Sequence, residues 1–249
     1  MRRLLRQVRA EQRVYWRNIP TAFFTFFLPL LFLVFLGLFG KDKVVDGHPY
    51  AELFVPGMLG TAAVMTTFAG LAITLTIRRD RGMLKRVRGT PLPPATYLGG
   101  LVLSTSLVLA LESVLVIVVG RFAFDVAMPD RWWELVGLVV LGAVSFAGLG
   151  IATTRIVPSA EGSSAVVNAI YVPVLVLSGA FFPVGGMPAP LRLISDALPL
   201  SHLLSAMRAE FTAGGLGQPQ LLGLLVVVAW GVGGSFLALR SFQWEPRGG

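Results

Sequence analysis

Cysteine is absent from the 249 residues of this chain, which excludes disulfides, thiol nucleophiles and thiolate metal sites. Histidine is scarce: the two present, His48 and His202, lie far apart in sequence, and no His-Glu-x-x-His zinc pattern occurs. Among the few lysines, only Lys41 follows a glycine, in Gly-Lys-Asp. The phosphate loop Gly-x-x-x-x-Gly-Lys-Ser/Thr is therefore missing, and with it that route to binding and hydrolysing ATP. No Gly-x-Ser-x-Gly nucleophile turn occurs either. Charge is the largest deficit, at 14% of residues against roughly 25% in an ordinary soluble domain. These absences leave no catalytic group and no metal ligand to name. Any chemical energy has to come from another chain.

What is present is apolar: 55% of the residues are hydrophobic, and the mean hydropathy is +0.74. Runs of about 18 or more apolar residues read as membrane-spanning helices, since some 20 residues cross a hydrocarbon core of about 30 Å. In lipid the backbone has to satisfy its own hydrogen bonds, so such runs are helical. Six spans are expected, at 21–39, 53–77, 97–120, 134–154, 163–182 and 221–239, with Pro173, Ser178 and Gly179 interrupting the fifth. The expected fold class is all-α, a polytopic membrane protein with six transmembrane helices, comprising residues 21–249 after an N-terminal helix at 1–20. With that arrangement, fifteen of the 21 basic residues fall on one side and six on the other. Positive charge favours the cytoplasm, so both termini and the loop at 78–96 are expected to be cytoplasmic. Basic character beside membrane spans speaks for orientation and anionic lipid, not nucleic acid.

The first twenty residues carry six arginines. At 3.6 residues per turn Arg2, Arg6, Arg9, Arg13 and Arg17 fall on one stripe, with Leu4, Leu5, Val8, Tyr15, Trp16 and Ile19 on another. That pattern predicts a basic amphipathic helix in the membrane interface, ended by Pro20, rather than a cleavable signal.

One acid, Glu112, stands about midway along the 97–120 run. At that depth an acid is costly; it is either a proton or cation contact, or a protonated, hydrogen-bonded packing group. The first run carries seven phenylalanines, of which Phe24, Phe27 and Phe35 are candidates, with Glu112, to line a substrate pathway. Such a set of phenylalanines more often faces lipid or packs the helix bundle. Ala143, Ala147, Gly150 and Thr154 share a helical spacing that lets another helix approach closely.

The stretch RRDRGMLKRVRGTPLPP, 78–94, concentrates six basic residues within 78–88, with Asp80 as their lone acid. Met83, Leu84 and Val87 interrupt the charge, and the prolines stop any helix. Periodicity alone allows either a short helix that docks in a partner's groove, with Arg79 at its rim, or a solvated basic loop.

RDRGMLKRVRGTPLPPATYLGG resembles the loop between the second and third spans of ABC type 2 exporter permeases. A second similarity is Pro199-Leu200-Ser201-His202 followed by Arg208, preceded by LSGAFFPVGGMPAPL. The order of basic N-terminal helix, spans, loop and long outer segment is also similar across nearly the whole chain. The resemblance implies a cytoplasmic coupling helix formed by Arg81, Gly82, Met83, Leu84, Lys85, Arg86, Val87 and Arg88, and an outer re-entrant hairpin at 182–219. It implies a permease subunit of an ATP-driven exporter, with ATP and Mg held by a partner rather than by this chain. The implied partners are two copies of an ABC ATP-binding subunit, a second permease copy (identical or related) and membrane lipid, in a bacterial plasma membrane. Its cargo is expected to be a hydrophobic drug, antibiotic or lipid. A lipid-linked polysaccharide remains an alternative, as does a membrane scaffold or immunity protein without transport.

Overall fold

The computed structural model describes residues 2–40, 44–45, 47–181, 188–212, 214–242 and 244. Eleven α-helices account for most of these, and a two-residue β-hairpin, Val44–Val45 paired antiparallel with His48–Pro49, is the only sheet among them.

Helix α1, Arg2–Arg17, is separated from α2, Ile19–Phe39, by Asn18 alone. The Asn18 side chain accepts from the Thr21 backbone N–H, and Pro20 sits in the first turn of α2, where its missing donor costs nothing. The expected break at Pro20 thus falls two residues earlier, and the proline begins a helix instead of ending one. α1 lies alongside the first half of α6, Pro94–Phe124. Leu4 faces Gly99, Gln7 is pressed against Gly100, and the Gln12 amide donates to Ser104 O at 2.7 Å. Val8 is buried while the arginine stripe is exposed, which is the division its amphipathic pattern requires.

The middle of the bundle is the central helix Tyr50–Asp80, made of α3 (Tyr50–Ala63), a π-helical stretch (Val64–Ala69) and α4 (Gly70–Asp80). Met58, Leu59, Ala62 and Val64 are buried on it among Leu109 and Val116 of α6, and with Leu138, Phe146, Leu200, Leu203 and Leu204 from later in the chain. Helix α7, Trp132–Thr153, approaches this rod through Gly150, where an added Cβ would come within 2.5 Å of Phe68 O. Small residues here allow backbone-close packing, as the 143–154 spacing predicts. The other side of α7 receives α11, Gln218–Ser241, with Gly231 against Ser145 and Gly148 against Ser235.

Among the described residues, five helices are long and apolar enough to cross a membrane: Ile19–Phe39, Tyr50–Asp80, Pro94–Phe124, Trp132–Thr153 and Gln218–Arg240. The fifth expected span behaves differently. α8 runs only from Ser163 to Leu177, 15 residues or roughly 22 Å at about 1.5 Å per residue. It stops at Ser178, and Gly179 takes a left-handed φ of 73° that ends the helical path. The apolar residues after Gly179 extend the hydropathy signal without extending the helix. The proposed outer hairpin begins in 182–187, outside the described residues. Beyond them α9, Ala189–Ala197, and α10, Pro199–Thr212, are joined by the extended residue Leu198. The architecture is an all-α, multi-pass bundle.

Candidate functional site

The basic stretch folds as a sharp turn and a short helix. Arg81 closes α4, and Gly82 takes φ 67°, a left-handed conformation that glycine adopts without a Cβ clash. α5, Met83–Arg88, then doubles back against the end of the bundle. Leu84 is fully buried, packed in a cluster with Leu71 and Leu75 of the central helix, Tyr97, Leu98 and Leu101 of α6, and Ile151 of α7. Val87 lies partly buried against the same cluster. The reading of this helix as one that docks in a partner's groove is therefore narrowed: Leu84 and Val87 turn inward, and Met83 is the apolar side chain left on the outer face. Leu84 and Val87 hold α5 to its own chain, in a cluster shared with the central helix, α6 and α7. Arg81, Met83, Lys85, Arg86 and Arg88 face outward, with Met83 46% exposed.

The residues before the turn fasten this helix to two other parts of the chain. Arg79, expected at a rim, is 1% exposed. Its guanidinium donates to Thr154 O and Val157 O, each at 2.8 Å, to Pro158 O at 3.3 Å, and to Asp80 at 3.2 Å. Asp80 in turn accepts from the Ala160 N–H. The inward direction follows from geometry: α7 ends at Thr153, and the Thr154, Val157 and Pro158 carbonyls in the irregular segment after it are acceptors that a guanidinium fork can meet together.

Arg78 turns the other way, donating to both carboxylate oxygens of Glu11 at 2.9 and 2.6 Å and to the Tyr97 hydroxyl at 2.9 Å. This ion pair is largely withdrawn from solvent, with side chains 14% and 9% exposed. Sequence reasoning missed it, although a signal existed. Glu11 is the sole acid in the first twenty residues, and it shares a helical face with Leu4, Val8 and Tyr15 rather than with the arginines.

Glu112 lies at a cavity of about 440 Å³ between α2, the central helix and α6. Phe24, Leu28, Met65 and Val108 line it, together with the hydroxyls of Thr21, Thr25, Thr66 and Thr105. Thr66, on the π-helical stretch, donates to Glu112 Oε2 at 2.7 Å. Glu112 Oε1 is buried and makes no hydrogen bond. Of the phenylalanines singled out by sequence, Phe24 reaches this cavity. Phe27 lines a separate groove with Trp16, Phe23 and Phe26, and Phe35 is 54% exposed beside Phe39. The structure thus joins Phe24 to Glu112 and leaves Phe27 and Phe35 apart from both.

At the opposite end, Leu200 is fully buried, and Arg208 donates to Leu53 O at 3.2 Å and to Gly179 O. The quoted Pro-Leu segment and its arginine therefore tie α10 to the start of the central helix and to the turn that ends α8. No group of three or more His, Cys, Asp or Glu able to hold a metal occurs among the described residues.

A family model described as "ABC-2 type transporter" matches residues 2–211. The chain is 31% identical over 227 residues to the daunorubicin resistance ABC transporter permease protein DrrB1 of Streptomyces coeruleorubidus, covering 87% of this chain and 77% of that one. It is 28% identical over 184 residues to nodulation protein J of Sinorhizobium fredii, covering 72% and 68%. With the probable multidrug ABC transporter permease YbhS of Escherichia coli it shares 23% identity over 199 residues, which spans 79% of this chain and 52% of that one. Taken with the apolar helices and their backbone-close packing, these similarities establish that the chain belongs to the ABC-2 type transporter family, as a multi-pass membrane permease.

Proposed function

We propose that this permease is half of an export pathway in a bacterial plasma membrane, driven by ATP hydrolysis in a separate subunit. A second permease copy, identical or related, completes the pathway, and each copy engages one ATP-binding subunit that carries ATP and Mg. Both termini and α5 face the cytoplasm, and α8 together with the outer segment 182–219 supplies the sixth crossing and a re-entrant hairpin. The cargo is a hydrophobic drug, antibiotic or lipid. The relatives named for daunorubicin resistance and multidrug transport favour this class over polysaccharide.

The observation that carries the reading is the division of labour within α5. A helix of six residues that only oriented the chain would need no fixed attachment. This one is bolted inward by Leu84, Arg79 and Arg78 while presenting Met83 and Arg86 outward. Motion imposed on the outer face passes to α1, to the central helix and to the segment after α7.

Met83→Asp combined with Arg86→Glu removes an apolar anchor and inverts a neighbouring charge, both on the exposed face. Loss of an anchor from a desolvated interface commonly costs about 2 kcal/mol or more. The variant is expected to lose the co-purifying ATP-binding subunit and substrate-stimulated ATP hydrolysis, at unchanged detergent-extracted yield. Retention of both by the double variant makes α5 a topology signal only, and the coupling role fails.

A further inference from the structure

We infer that the Glu112 cavity binds a lipophilic cation, an aromatic or alkyl ammonium, with the Glu112 carboxylate as its counter-ion. The inference rests on the proposed export function and names the substrate class of that pathway.

The argument begins with what surrounds the acid. Glu112 is 2% exposed, and one of its oxygens is held by Thr66 while the other has no partner. No arginine, lysine or histidine lines the cavity. A carboxyl withdrawn from water stays ionised only beside a counter-charge or a full set of hydrogen bonds and otherwise keeps its proton. The chain gives Glu112 the Thr66 hydroxyl, and a bound cation would supply the missing charge. The buried Arg78–Glu11 pair shows the contrast: there both carboxylate oxygens are met by a guanidinium. Glu112, though almost wholly buried, is one of the residues lining the cavity, so a ligand there would stand beside it.

That space suits an organic ion more than a metal or a sugar. Its volume lies in the range of small-molecule sites, about 300–1,000 Å³. Its walls are mainly apolar, and Glu112 is the sole carboxylate among the lining residues, so no ligand shell exists for a bare hard cation. Phe24 offers an aromatic ring, whose face attracts an ammonium most strongly when both are desolvated. Threonine hydroxyls supply a few hydrogen bonds but no charged donors for an anionic headgroup. The π-helical stretch contributes as well. Such single-turn insertions recur at functional sites, and this one carries both Met65 and Thr66 to the cavity.

The test uses an isosteric pair of opposite charge, tetraphenylphosphonium and tetraphenylborate, bound at equilibrium to the purified permease, with any ATP-binding subunit that co-purifies, in lipid nanodiscs. Subtracting the signal of empty discs removes partitioning into lipid. Wild-type protein is expected to bind the phosphonium saturably, and Glu112→Gln to weaken it about tenfold. Tetraphenylborate is expected to bind no better to wild type than to Glu112→Gln. Gly70→Leu fills the cavity while leaving the acid in place, since a Cβ there meets nothing nearer than Met65 O at 3.5 Å. It is expected to abolish saturable phosphonium binding.

Equal phosphonium affinity in wild type and Glu112→Gln, absence of saturable binding to wild type, or full affinity in Gly70→Leu each overturns the site. ATP-binding subunit retention and ATP hydrolysis, measured on the same preparations, report on the export reading separately. If the ATPase couples and binding ignores Glu112, the cation site falls and export stands. If binding depends on Glu112 and no ATPase associates, the site stands and the export reading falls.

Discussion

A guanidinium presents five N–H donors on a rigid plane, and Arg79 directs its fork at three backbone carbonyls and Asp80. Truncating it leaves those carbonyls buried without donors, at about 1–3 kcal/mol for each orphaned group. Arg79→Ala is therefore expected to lower the melting temperature of the detergent-solubilised protein by several degrees. Arg79→Lys should recover only part of this, because an ammonium lacks the fork. Followed by tryptophan fluorescence, a melting temperature within a degree of wild type would contradict the role. The sequence shows Arg78 and Arg79 as equal members of a basic run. On a helix, neighbours point about 100° apart, so one turns to Glu11 and the other to Thr154 and Val157. Those partners lie 67 to 78 residues away, beyond the reach of any local pattern. Glu112 was legible for the opposite reason: an acid inside an apolar run announces itself, although its cavity and Thr66 do not.

Leu84 sets the strength with which α5 is held. Removing most of a fully buried leucine side chain costs roughly 2–5 kcal/mol, whereas Met83, half exposed, supports little. Leu84→Ala is expected to reduce thermal stability and raise proteolysis at the 78–94 stretch, while Met83→Ala leaves both unchanged. Equal sensitivity of the two variants would mean that α5 does not lie on the cluster described. At the seam between α7 and the π-helical stretch, Gly150→Val places methyl groups where Phe68 O stands. Overpacking of that kind commonly costs about 1–3 kcal/mol, and extraction yield and melting temperature should both fall. Helix positions followed well from hydropathy where one apolar run fills one helix, as in α2, α7 and α11. They diverged at α8, where hydropathy continues past Gly179 but the backbone does not. Hydropathy records the solvent a residue prefers and says nothing of φ.

The proposed sidedness of the bundle rests on charge: with six crossings, fifteen basic residues fall on one side and six on the other. The turn at Gly89 and the hairpin at Val44–Pro49 stand at opposite ends of the central helix, so they test it directly. A cysteine at Gly89 is expected to resist an impermeant maleimide in intact cells, and one at Val44, 68% exposed, to react. Gly47, with φ 81°, is a poorer place for the outer label because a side chain there is strained. Reaction of Gly89→Cys from outside would invert the arrangement. A cysteine at Gly248, outside the described residues, should match Gly89.

The central helix also has a mechanical consequence. It is a rod of 31 residues, about 46 Å long at roughly 1.5 Å per residue. Near Gly82 it is pinned to α1 through Arg78 and to the end of α7 through Arg79. A swing of about 5° pivoting there carries the far tip, at Tyr50, through about 4 Å. The Tyr50 hydroxyl donates to Phe181 O across 3.1 Å, and a bond of that length does not survive such a displacement. A rotation small at α5 would thus be amplified by leverage into the opening of a latch at the other end of the bundle.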